Sequence, residues 1–107
     1  MTNAVFYFRG NLITGFELSG HTDDSGSDSA RLVCAAVSSA AYMAVNTITD
    51  IIGDESDIEL TDGHMRVRPN NPSAARVILD GFYLHIRELK EQYPHFIQIN
   101  TEVQHDA

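Results

Sequence analysis

One thiol and five imidazoles are the side chains of this 107-residue sequence best suited to nucleophilic and proton-transfer chemistry near neutral pH. The thiol, Cys34, follows His21 by thirteen positions, inside the stretch GHTDDSGSDSARLVCAAVS that runs from Gly20 to Ser38. A cysteine deprotonated by a histidine is an acyl-transfer nucleophile, the pairing used by thiol hydrolases. A lone cysteine is more often a small buried hydrophobe, so the surroundings carry the argument. Cys34 lies near an expected helix start, where unpaired amides and the helix dipole favour a thiolate, an effect that fades beyond the first turn. His21 falls just past an expected strand. Both positions therefore sit at the ends of regular elements, where a scaffold can fix them.

The neighbouring polar residues read less specifically. Ser38 is four residues beyond Cys34 and shares its helical face; its hydroxyl can serve the site or bond back to the carbonyl one turn earlier. Asp23, Asp24 and Asp28 read as a solvated loop or as contacts for a basic substrate. His64, His85, His95 and His105 show no metal-ligand spacing, so no metal or cofactor is expected and each is given a structural or solvent role. Tyr42, Phe82 and Tyr83 read as packing or subunit-contact residues.

The elements that must position the pair begin with a hairpin. Ala4 to Phe8 is rich in β-formers, Gly10-Asn11 supplies a two-residue turn, and Leu12 to Leu18 returns. Uninterrupted pairing sets Phe8 opposite Ile13 and Phe6 opposite Gly15, whose missing side chain leaves room for the ring. It also puts Glu17 on the apolar face. Ser29 to Ile52 then repeats apolar residues at helical period, including Leu32, Val33, Val37, Met43, Ile48, Ile51 and Ile52. Asp28 or Ser29 caps it and Gly53 ends it. The small-residue run AAVSSAA allows close approach, either to a sheet or to another subunit.

Asp57 to Arg68 reads as a second hairpin with a type I′ turn at Asp62-Gly63. Leu60 then pairs with Met65, Ile58 with Val67, Glu59 with Arg66 and Asp57 with Arg68, which puts apolar pairs on one buried face and opposite charges on the other. Asn71-Pro72 opens a second helix, with Ala75, Ile78, Leu79, Phe82, Ile86, Leu89 and Tyr93 as its core stripe, and Pro94 stops it. His95 to Thr101 forms a last strand, followed by a loosely held tail. The fold class is thus α/β: one domain over residues 1–107, a two-layer sandwich with a mixed sheet and two helices, in the order β-β-α-β-β-α-β.

Composition bounds the function. Apolar residues make up 43 % of the chain and charged residues 21 %, as in an ordinary soluble domain. Fifteen acidic residues against seven basic ones give a net charge of −8, which repels nucleic acid and attracts basic partners. One cysteine excludes an internal disulfide, the N-terminus does not read as a signal peptide, and the apolar run Leu32 to Val45 reads as too short for a membrane span. A cytoplasmic protein without membrane contact is the expectation.

These residues resemble a known pattern. Gly20-His21, then Leu32-Val33-Cys34-Ala35, with Ser38 a turn later, are similar to the signature of the ribosomal-processing cysteine protease family Prp. GFYLHIRELKEQYPHFIQI, from Gly81 to Ile99, resembles that family's closing helix, Tyr-Pro break and last strand. The resemblance implies a homodimeric endopeptidase that removes an N-terminal extension from large-subunit ribosomal protein twenty-seven, with Cys34 as nucleophile, His21 as base and helix-start amides for the oxyanion. Gly20, Asp28 and Ser38 would support the site or bind substrate. The chain departs from the pattern at Thr22, where the family has alanine, at Ser29, where it has glycine, and at Arg31, where it has aspartate; the loop is also one residue longer. Those departures keep a second reading open, a non-catalytic relative that binds a ribosomal or other basic protein.

Overall fold

The computed structural model describes residues 1–20 and 27–104, and its elements follow the expected order. They are β1 (Thr2–Arg9), β2 (Leu12–Gly20), α1 (Asp28–Asn46), β3 (Asp57–Thr61), β4 (His64–Arg68), α2 (Arg76–Gln92) and β5 (Ile97–Val103). The sheet order is β3-β4-β2-β1-β5, with β1 and β5 parallel and all other neighbours antiparallel. Both helices bury their apolar stripes against one face, and no described helix covers the other.

The first hairpin corrects the expected register. Phe8 does face Ile13, but Tyr7 faces Gly15 and Phe6 faces Phe16, so Thr14 is an extra residue in a β-bulge. The physical cause lies in the sequence: Ile13, Phe16 and Leu18 are all buried, and their spacing of three then two fits one face only if a residue is inserted. The bulge also moves Glu17 off the apolar face. Gly15 makes room for backbone instead of a ring, because a Cβ there would come within 2.7 Å of the Val67 carbonyl oxygen. Thr14 Oγ1 donates to Gln104 Oε1 at 2.7 Å, which satisfies the bulged hydroxyl.

In the second hairpin all four expected cross-strand pairs form. The turn is not type I′, since that type needs positive φ at both central residues and only Gly63 has it, at 73°. Burial is narrower than expected as well. Met65 and Val67 are buried, whereas Ile58 and Leu60 are 38 % and 54 % exposed, because β3 is an edge strand beyond the cover of the helices. Asp57 takes its charge partner from Arg66, at 3.8 Å, and Arg66 also meets Glu59 at 3.1 Å.

Helix α1 is capped by Ser27 and not by Asp28 or Ser29; the Ser27 side chain accepts the Ala30 amide. Val33, Val37, Ala41, Ala44 and Ile48 are buried, and the two inner alanines let the helix lie close on the sheet. A π-helical turn, Thr47–Ile51, extends it, with the Ile52 amide bonded to the Thr47 carbonyl. That wider turn takes the last isoleucines out of phase with the buried stripe. Ile51 is accordingly 81 % exposed instead of buried, and Gly53, at φ 79°, ends the run. By length and composition Asp28–Ile51 would suffice to cross a membrane, so the apolar helix is longer than the expected run Leu32 to Val45. Here one face of it is the protein core.

Helix α2 begins at Arg76, four residues after Pro72. The intervening chain is a turn in which the Asn71 and Pro72 carbonyls accept the Ala74 and Ala75 amides. The Asp54 carboxylate accepts the Asn70 and Asn71 amides, both at 2.8 Å, and fixes the approach. The Phe82 ring lies 4.8 Å from that of Phe16, and Tyr83 meets Phe6 edge-on at 4.7 Å. As far as Gln104 the tail is better held than expected. β5 runs on to Val103 beside β1, and the Gln104 amide donates to the Phe8 carbonyl at 2.7 Å.

Candidate active site

Cys34 follows the core residue Val33 on α1, and a helix advances about 100° per residue, so the thiol sits on the flank of the buried stripe. That flank faces the β4 side of the sheet, where no second helix lies among the described residues. Cys34, Ser38 and Tyr42, spaced four apart, line one wall of a cavity of about 140 Å³. Leu18, Leu60 and Met65, which stand side by side across β2, β3 and β4, line the other. The thiol is half-buried and unbonded to another cysteine.

The rim is set by two glycines. The Gly20 amide donates to the Gly63 carbonyl at 3.0 Å and so ties the end of β2 to the β3–β4 turn. Both glycines line the cavity. His21 is the next residue along the chain. It lies outside the described residues, as do Thr22, Asp23, Asp24 and His105.

Of the expected site residues, the structure brings Gly20, Cys34 and Ser38 to one cavity and leaves Asp28 out of it. Asp28 is the first residue of α1, roughly 9 Å along the axis from Cys34. Its side chain is fully exposed, 3.9 Å from Arg31. The same distance removes the helix-start amides from the thiol, and those of Ala30 and Arg31 are bonded to Ser27. The helix start is therefore no oxyanion site for Cys34. The back-bonding hydroxyls of this helix belong to Thr47 and Thr49, not to Ser38.

His64 is the one described histidine beside the cavity, and strand alternation excludes it as partner for Cys34. Met65 and Val67 point to the helices, so His64 and Arg66 point to the open face. There His64 Nε2 lies 2.5 Å from Glu17 Oε1, and the Tyr7 hydroxyl donates to Glu17 Oε2 at 2.9 Å. The bonds from His64 and Tyr7 hold the Glu17 carboxyl below the usual glutamate range. Burial, then the bond to Glu17, pushes the Tyr7 phenol up. This group stitches β1, β2 and β4 together, and of its three members only His64 borders the cavity.

Sequence reasoning missed Tyr42, Leu60 and Met65 as cavity walls. Tyr42 was recoverable from its spacing of eight from Cys34; Leu60 was not, because its approach depends on how β4 docks on β2. Among the described residues there is no cluster of three or more metal-ligating side chains.

A family model described as cysteine protease Prp matches residues 1–98. The comparison with curated proteins gives no significant match. Among solved structures, SMU.848 from Streptococcus mutans superposes with a TM-score of 0.86 at 27 % identity, over 97 % of this chain and 99 % of that one. The essential ribosomal processing protease Prp from Staphylococcus aureus, in complex with a covalently linked product peptide, superposes at 0.82 with 25 % identity, over 95 % of this chain and 100 % of that one. The same protease with a substrate peptide shares the fold at 0.86 and 23 % identity, over 95 % and 100 % of the two chains.

Proposed function

Because the chain belongs to the cysteine protease Prp family, we propose that it is the endopeptidase that removes the N-terminal extension of a large-subunit ribosomal protein, ribosomal protein twenty-seven, in the cytoplasm during ribosome assembly. That it is a cysteine protease follows from the family. One observation carries the residue assignment: the sequence contains a single cysteine, and that cysteine lines the cavity between α1 and the end of the sheet. A cysteine protease with one cysteine has one choice of nucleophile.

In the reaction, His21 takes the proton of the Cys34 thiol, and the thiolate sulfur attacks the scissile carbonyl carbon. The peptide C–N bond breaks as the proton passes to the leaving amine, and a thioester remains. Water then hydrolyses the thioester and restores the thiol. The position of Gly20 on the cavity rim supports this role for the residue that follows it. The covalently linked product peptide of the Staphylococcus aureus protease is in keeping with a covalent route. A net charge of −8 suits a basic ribosomal substrate, and a homodimer is the working form.

Incubation of the protein with a peptide spanning such an extension, beside the Cys34→Ala variant, tests the reading. Cleavage by the first and none by the second is expected. Equal rates in both would sink it. The rate of Cys34 alkylation against pH separates the enzyme from a non-catalytic binder, since an activated thiol keeps reacting below its ordinary pKa and a structural one does not.

A further inference from the structure

The sheet has two edges, β3 and β5, and of these only β3 ends beside Cys34. In a two-residue hairpin the pair flanking the turn exchanges backbone bonds, and bonded pairs alternate from there. Thr61 and His64 are that pair. Glu59 and Asp57 therefore also direct their backbone groups to β4, which leaves the N–H and C=O of Ile58 and Leu60 pointing outward. No described strand lies beyond β3, and all five of its residues are exposed. Their side chains add to the same surface: Ile58 and Leu60 stand on the helix side of the sheet yet remain open to solvent, and Leu60 continues into the cavity. Charge selects the occupant. Asp57 and Glu59 both pair with Arg66, and with Glu55 and Asp62 flanking the strand the acids outnumber Arg66 and Arg68, so the edge is acidic overall.

We infer that the substrate is held as an extended basic segment added to the free edge of β3, bonded through its backbone to Ile58 and Leu60, so that its scissile bond arrives at the cavity containing Cys34. The inference rests on the proteolytic reading above and adds how the chain is gripped. Backbone bonding gives such a site affinity for any extended segment, and the pocket beyond Leu60 selects the side chain. An exposed edge strand is otherwise a liability that proteins cover or blunt.

Hydrogen exchange on Cys34→Ala, with and without a peptide spanning the ribosomal-protein extension, reads the edge directly. At saturation the Ile58 and Leu60 amides should slow, while those of Glu59 and Thr61, already bonded to β4, should not change. In the active enzyme, Ile58→Pro removes one outward N–H and spares the β4 ladder. It should raise KM about five- to tenfold with kcat unchanged, and Ile58→Val should stay within about twofold of wild type. If wild type leaves the peptide uncut, the proteolytic reading and the edge both fall. If it cuts the peptide while the Ile58 and Leu60 amides exchange as in the free protein, the edge alone falls. Protection of those amides that rises with protein concentration in the absence of peptide would assign the edge to a second copy and overturn the inference.

Discussion

The amide of Gly20 donates to the carbonyl of Gly63 at 3.0 Å, and a Cβ on Gly63 would lie 2.9 Å from the Gly20 carbonyl oxygen. This contact sets the mouth of the cavity, and glycine is required at position 63 twice over: by space and by a φ of 73°. Gly63→Ala should cost about 1–2 kcal/mol for the left-handed backbone, plus the strain of the contact. Urea unfolding reads that cost. Because the end of β2 must retreat, kcat/KM should fall by more than the lost folded fraction explains; an unchanged value per folded molecule would refute the link between rim and activity.

Glu17 makes acid stability a property of the open face. Its carboxyl is held below the usual range by His64 and Tyr7. A depressed carboxylate stabilises the fold fully above its unfolded pKa, about 4.3, and that contribution is lost as pH falls through the lower folded value. Glu17→Gln should thus lower the urea midpoint at pH 6 and flatten its fall between there and strong acid. Since the group lies across the sheet from Cys34, thiol alkylation rates at pH 7 should not move.

Removal of the Phe82 ring tests the core on which both layers depend. It is buried, 4.8 Å from Phe16 and 5.7 Å from Phe6. Phe82→Ala should cost about 3–5 kcal/mol, a large share of the 5–15 kcal/mol typical of a domain, and show as a drop in Tm and in soluble yield.

Asp54 carries a local prediction. Burial pushes its carboxyl up, but bonds from the Ser56 hydroxyl and the Asn71 and Asn70 amides together hold it below the usual range. The side chain is only partly buried, so Asp54→Ala should cost about 1 kcal/mol, comparable to a lost helix cap. Faster hydrogen exchange confined to the Asn70 and Asn71 amides would mark the effect as local.

Much of the scaffold was legible because its causes are local. The Asp57–Arg68 hairpin announces its register through matched apolar and charged pairs, and the stripe from Ala75 to Tyr93 fixes the buried face of α2 by period alone. The nucleophile was legible for a simpler reason: one cysteine stands in a segment that resembles a family signature. Other features required the third dimension. The Thr14 bulge follows from burying Ile13, Phe16 and Leu18 on one face, and a sequence does not state which face will be covered. The exposure of Ile58 and Leu60 depends on how far α1 reaches across the sheet, and the cavity arises because β4 docks on β2 and leaves Leu60 opposite Cys34. Spacing along the chain named the reactive thiol, but only the order of strands decided what surrounds it, since neighbours in a sheet are chosen by long-range pairing that no local pattern records.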